Sequence, residues 1–209
     1  MIVFTPLDLP KVEPDNWDLF WDIWNSHGGQ LSKVRKNAES SPVRLGYNDL
    51  WYGLDVYKKT FPKFLTSWEA PYYDMSEIAP NFINSVLNTG IDVSVIRLIK
   101  SNVAVTAHTD DDADQWAIRA YLHYTSPNEQ WYFTKPRDPQ GDRRYIKMPK
   151  TTNWFAYNDK YVWHGTDYDA DHEKILLQIY YHPTEKNMDA AKQLVERSAN
   201  RYKRNRIKL

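Results

Sequence analysis

Between Ile91 and His182 the spacing of apolar residues changes from about 3.6 to 2, and β-branched and aromatic side chains take over. That switch limits the chain more than any other feature, because a period of 2 is the period of a strand with one face in a core. Eight runs carry it: Ile91–Lys100, Val103–Thr109, Ala117–Tyr124, Trp131–Thr134, Arg144–Met148, Asn153–Tyr157, Val162–Thr166 and Lys174–His182. Turn-forming residues such as Ser126-Pro127-Asn128, Pro139-Gln140-Gly141-Asp142 and Asn158-Asp159 separate them. Eight short strands predict a double-sheet jelly roll, the double-stranded β-helix. The fold class is therefore mainly β with flanking helices (α+β).

The flanks have helical spacing. Asp15-Asn16 offers an N-cap, Trp17, Phe20, Trp21 and Trp24 fall on one face, and Gly28-Gly29 is a stop. Residues 30–70 have no clean period and read as loop with short helix. Ile78, Phe82, Ile83, Val86 and Leu87 form a second amphipathic face ending at Gly90. After Pro183, Met188, Ala191, Leu194 and Val195 predict a last helix, which runs into the basic Arg201–Lys208. A chain of 209 residues organised in this way is expected to form a single domain, 1–209. Its parts are a helical and loop region (1–90), a β core (91–183) and a C-terminal basic helix (184–209).

Composition removes several function classes. Lys plus Arg and Asp plus Glu are both 27, so no overall field draws the chain to nucleic acid or to an acidic membrane. The basic C-terminal stretch leaves nucleic acid as a weakly supported partner, since cations at a helix C-terminus are ordinarily a solvated and favourable arrangement. Cys is absent, which excludes disulfides and thiolate metal sites, so any bound metal must use His and carboxylate. No apolar run reaches the roughly 18 residues of a membrane span. The expectation is a soluble, cytoplasmic protein.

The second strand ends in His108-Thr109-Asp110, whose alternate residues leave the same face. A third ligand type, His164, lies on the seventh strand within Trp163-His164-Gly165. Two imidazoles and one carboxylate on one side of an ion form the facial triad of non-heme Fe(II) oxygenases, with the other positions open. His108, Asp110 and His164 are the expected metal ligands and the catalytic centre. Asp112, in the same acidic turn, is next in line for the carboxylate. His123 and His182 read as structural imidazoles, His172 as exposed, and His27 as a helix-end residue. Trp116, Tyr124, Trp131, Trp163 and Tyr180 are either core or pocket wall.

A roll with His-x-Asp on its second strand and His on its seventh resembles the 2-oxoglutarate/Fe(II)-dependent dioxygenase superfamily over about residues 91–183. The nearest local likeness is to the aspartyl/asparaginyl β-hydroxylase branch, through His108 followed by Ile118–Pro127, and Trp163-His164-Gly165 followed by Lys174–Pro183. Two positions depart from that branch: Asp110 supplies a carboxylate often lacking there, and Lys174 stands where Arg is usual. The resemblance implies Fe(II), 2-oxoglutarate as co-substrate, O2, and hydroxylation with release of succinate and CO2. The substrate would be a protein or peptide side chain, an amino acid or another small molecule.

The co-substrate's far carboxylate needs a buried cation. Lys174, ten residues beyond His164, is the expected partner, and Arg119 is the expected supporting contact. The competing expectation is a cupin-like module that holds a structural metal, or none, without oxygenase activity.

Overall fold

The computed structural model describes residues 1–18, 48–53, 84–86, 88–101, 105–109, 115–124, 131–138, 140–158, 160–167 and 174–208, with side chains left out at 48–53, 94–101, 105–106, 123–124 and 174–175. Its strands are β1 (Ile2–Pro6), β2 (Asn48–Gly53), β3 (Val93–Ser101), β4 (Val105–His108), β5 (Ala117–Tyr124) and β6 (Trp131–Thr134). They continue with β7 (Arg144–Tyr145), β8 (Trp154–Tyr157), β9 (Trp163–Thr166), β10 (Lys174–Tyr181) and β11 (Ile207–Lys208). The helix α1 spans Glu185–Arg201.

Every pairing is antiparallel and the strands form two sheets, one ordered β11-β1-β8-β5-β10-β3-β2 and the other β4-β9-β6-β7. From β3 to β10 the pairings are nested: β3 with β10, β4 with β9, β5 with β8, and β6 with β7. This is the pairing order of one long hairpin. The extra pairings β5 with β10 and β6 with β9 join its turns into the two sheets.

Strand alternation divides the core in two. On β5, β8 and β10 one face presents Ile118, Ala120, Trp154, Ala156, Leu177 and Ile179, which pack with Ala191, Leu194 and Val195 of α1 and with Leu7, Leu9 and Val12. The other face presents Tyr121, Phe155, Tyr157 and Leu176, which meet Trp131, Phe133 and Val162 from the smaller sheet and Val3 and Phe4 from β1. Burial of one such aliphatic side chain contributes about 1.5–3 kcal/mol, so the helix side alone is a large source of stability.

Polar side chains tie the helix and the N-terminal segment down. The Thr184 hydroxyl caps α1 by accepting from the Asn187 N–H at 3.3 Å, and buried Asn187 accepts from the Asp92 N–H at 3.0 Å. Asn153 accepts from the Val12 N–H and donates to the Val12 and Tyr121 carbonyls at 2.7 and 2.8 Å. Ser198 accepts from the Asp8 N–H at 2.8 Å while donating to Leu194. Each bond satisfies a backbone group that packing has removed from water.

Three strands go beyond the sequence expectation. Residues 48–53 are an edge strand, not loop or short helix, and Ile2–Pro6 joins the larger sheet between β8 and β11. The basic C-terminal stretch leaves the helix at Arg201, and Ile207–Lys208 pairs with β1. The fifth predicted strand shortens to Arg144–Tyr145, which pair with Phe133 and Tyr132 of β6, and Ile146 adds one bond to the Trp131 carbonyl at 3.0 Å. Residues 84–86 are helical and Gly90 follows with φ of +80°, a conformation suited to the expected helix stop. The rest of that helix, and the predicted helix beyond Asp18, lie outside the described residues. Among the described residues, no helix is long and apolar enough to cross a membrane.

Candidate functional site

β4 and β9 bring the two predicted histidine ligands together through an irregularity. Val105 pairs with Thr166, and a regular ladder would then set Ala107 opposite His164. One extra residue on β4 shifts the register, and His108 takes that place. A bulge that re-aims a side chain is a recurrent device beside active sites. The result is a pair of imidazoles with ring centres 4.6 Å apart and planes inclined at 47°.

That separation can be compared with what a shared ion requires. A metal–nitrogen bond of ~2.1 Å plus a ring radius of ~1.2 Å puts each ring centre ~3.3 Å from the ion, and a right angle between donors then gives ~4.7 Å between centres. The observed ring-centre separation of 4.6 Å is close to that spacing. Among the described residues no group of three His, Asp or Glu is assembled, and the expected third ligand, Asp110, lies outside them, as does Asp112.

His164 is only 3% exposed and packs against rings from both sheets. The Trp131 indole stacks on it at 5.2 Å and 12°, and Tyr157 meets it at 4.8 Å. Trp131 lies on β6, whose pairing with β9 aligns it with Thr166, while Tyr157 comes from β8 in the other sheet. His108 is only partly buried, so the pair runs from the aromatic interior toward solvent.

Arg119 packs on the same two rings. Its guanidinium carbon is 4.8 Å from the Trp131 ring centre and 5.0 Å from that of Tyr157, and the residue is 7% exposed. On β5 it stands opposite Gln178 of β10 and Phe155 of β8, and Gln178 is itself buried. The two ring faces give the buried guanidinium a favourable cation–π setting. The Trp131 indole nitrogen is fully buried and has no hydrogen-bond acceptor among the described residues. Trp131 and Tyr157 thus connect an imidazole pair to a buried cation.

Lys174 opens β10 opposite Ser101 and Tyr124, as its expected place at the head of the eighth core strand required, and its side chain lies outside the described residues. Between Ile175 and Leu176 the register with β5 shifts, so the alternation carrying Arg119 and Tyr121 does not continue unbroken to His123. Trp116 belongs to the helix-side core, where its carbonyl accepts from the Tyr181 hydroxyl at 2.7 Å, and is not pocket wall. His182 stands at the end of β10, where its carbonyl accepts from Asn187. His27 and His172 lie outside the described residues.

Tyr157 was invisible as a site residue in the sequence, because an aromatic on a buried strand reads as core. Its only signal was the alternation that separates Phe155 and Tyr157 from Trp154 and Ala156.

Behind the smaller sheet a second polar group steadies β9. Arg143 and the Tyr145 hydroxyl both donate to Asp167, just beyond the strand, and Arg143 lies 4.3 Å over the Tyr132 ring. Burial raises the Tyr132 phenol above its ordinary value, which keeps it neutral beside the cation.

No family model matches the chain, and no curated protein does. Among solved structures it is similar to a prolyl hydroxylase from Trichoplax adhaerens in complex with a hypoxia inducible factor peptide fragment, at 11% identity and a TM-score of 0.44, covering 85% of this chain and 79% of that one. It is also similar to a Pseudomonas putida prolyl-4-hydroxylase at 12% identity and a TM-score of 0.41, covering 79% and 84%. A third is an oxidoreductase of the 2OG-Fe(II) oxygenase family from Burkholderia pseudomallei, at 9% and 0.36, covering 82% and 94%.

Proposed function

We propose that this chain is a 2-oxoglutarate- and Fe(II)-dependent oxygenase built on a double-stranded β-helix, with His108, Asp110 and His164 as metal ligands. The observation that carries the reading is the irregular β4–β9 register that sets His108 against His164, whose neighbouring rings Trp131 and Tyr157 also carry a buried arginine. A bulge that served packing alone would have no need to exchange Ala107 for an imidazole at this one position. Bound there, Fe(II) supplies the activation of dioxygen, coupled to conversion of 2-oxoglutarate to succinate and CO2 and to oxidation of the substrate.

The chain's own residues bind and orient. Lys174 takes the far carboxylate of 2-oxoglutarate and Arg119 provides a supporting contact, its planar fork being suited to a carboxylate. Trp131 and Tyr157 hold His164 and keep water from the interior side of the pair. The substrate is a peptide or protein side chain, an amino acid or another small molecule that reaches the partly exposed His108 side.

Anaerobic addition of Fe(II) and 2-oxoglutarate tests the reading. A weak visible charge-transfer band that needs both, and succinate release when O2 and substrate are admitted, are the expected results. Metal binding with no such band and no succinate would leave a cupin-like binding module in its place. Asp110→Ala should abolish turnover while retaining part of the metal affinity; unchanged turnover would move the carboxylate role to Asp112.

A further inference from the structure

The glycine of Trp163-His164-Gly165 is buried within β9 and pairs with Tyr132 of β6. Trp131 and Phe133 turn to the aromatic core between the sheets, as His164 does, so Tyr132 takes the outer face of β6. Residues directly opposite in an antiparallel pair point the same way, and Gly165 therefore shares that outer face. Without a side chain it leaves room for a ring to cross β9. Tyr132 makes the crossing. Its side chain is 2% exposed, and a hydrogen bond joins its phenol to the backbone of Ala107 on β4, the strand beyond β9. That bond favours the ionised phenol, so the phenol oxygen accepts and the Ala107 N–H donates.

Ala107 lies where β4 departs from a regular ladder. Val105 pairs with Thr166 and His108 with His164, so Thr106 and Ala107 together face the single Gly165. A bulge takes a residue out of the ladder and leaves its backbone groups to find other partners. At 4% exposure Ala107 is largely closed off from water, and the phenol is the partner its N–H finds. The phenol is itself held in place: Arg143 lies 4.3 Å over its ring, Tyr145 meets it edge-on at 5.8 Å, and Asp167 accepts from both of these.

We propose that Tyr132 is a positioning residue for the metal centre, whose hydroxyl reaches across Gly165 and holds the bulged backbone of β4 in the register that sets His108 beside His164. The inference rests on the reading of those two imidazoles as metal ligands and gives their site a support on the outer face of the smaller sheet. Released from the phenol, β4 can exchange its bulge for a regular pairing, which puts Ala107 opposite His164 and turns His108 to the other face.

The test compares the full chain with Tyr132→Phe, which keeps the ring against Arg143 and Tyr145 and removes the hydroxyl alone. Backbone amide exchange by 15N NMR and Zn(II) affinity by calorimetry are the readouts. In Tyr132→Phe the Ala107 amide should lose its protection while the amides that pair β6 with β9 keep theirs. The Kd for Zn(II) should rise roughly 10- to 100-fold, the range for loss of a group that orients a metal ligand. Leu177→Ala, a change on the helix side, should leave Zn(II) affinity of the folded chain as it was. An equal loss in that variant would assign the effect to stability in general and overturn the positioning role.

Lost Ala107 protection with unchanged Zn(II) affinity would also overturn it and leave the metal site standing. An Ala107 amide that stays protected in Tyr132→Phe would remove the hydrogen bond from the argument, and the proposal with it. If the native chain takes up no Zn(II), the metal-site reading fails first. Should Tyr132→Phe not fold, Gly165→Ala takes its place: a methyl in the path of the ring should cost Ala107 protection and Zn(II) affinity together, and loss of neither would overturn the proposal.

Discussion

The two faces that the described residues of β5, β8 and β10 present are both buried and chemically unlike. Toward α1, β5, β8 and β10 present Ile118, Ala120, Leu177 and Ile179 around Trp154. Toward the smaller sheet the alternate residues of the same strands are Arg119, Tyr121, Phe155, Tyr157 and Gln178. An aliphatic face needs only a complementary surface, which the helix supplies. A face of aromatics, a guanidinium and an amide is a poor way to gain the same burial, because each polar group must be satisfied where water is scarce. Burial alone therefore does not separate scaffold from site in this molecule; the polarity of what is buried does.

Substitutions on the two faces should separate ligand binding from stability. The largest effect is expected from His164→Ala, which removes a proposed interior metal ligand and should weaken Zn(II) or Fe(II) binding by at least ~100-fold by calorimetry, more than the 10- to 100-fold typical of an outer-shell change. Retained affinity would detach the metal from the inner face altogether. Next are the two cations: Lys174→Ala and Arg119→Ala should each raise the 2-oxoglutarate Kd by ~30-fold to several thousand-fold, from a cost of about 2–5 kcal/mol for a truncated buried charge pair. Metal affinity should change little. Loss in Arg119→Ala alone would exchange their roles, and loss in neither would remove the co-substrate assignment.

On the helix side, Leu177→Ala should reduce stability by about 2–5 kcal/mol in urea while leaving metal and 2-oxoglutarate affinity unchanged in the folded fraction. A change in those affinities would mean the two faces are not independent. The smallest effect is that of Tyr181, whose phenol burial raises well above its ordinary value while its hydroxyl donates to Trp116. The unfolded chain loses this proton near pH 10 and the folded one only at higher pH. Between those points the folded state holds more protons, so stability falls as pH rises above about 10. Tyr181→Phe should flatten that alkaline decline in a pH series of melting curves.

The β core was legible because its strands alternate. Ala117–Tyr124 and Trp131–Thr134 were bounded to the residue, and Lys174 was placed at the head of its strand. β1 was not legible, since Val3, Phe4 and Thr5 are all buried and a strand covered on both faces has no period to read. β11 has only two residues, and Asn48–Gly53 mixes Asn, Asp and Gly with aromatics on an edge.

At the site, His-x-Asp spacing led to His108 and the Trp-His-Gly stretch to His164. The register that makes them neighbours depends on a bulge, which arises from the pairing of two strands and has no local signature in either. Arg119 was legible as an interior cation. Its aromatic bridge to His164 was not, because Trp131 and Tyr157 on buried strands look like any other core rings.

The nested pairing of β3 through β10 has a consequence for how the protein folds. In a long hairpin the inner pairs shorten the loops that the outer pairs must close, and the remaining contacts are distant in sequence, a topology associated with slow folding. Whatever the order of events, His108 and His164 become neighbours only when β4 and β9 meet. A chain that has formed the β6–β7 end alone has no imidazole pair. On the proposed metal site, a divalent ion that needs both rings would bind the chain with β4 and β9 paired and not its precursors, and its concentration would set how firmly those strands stay together.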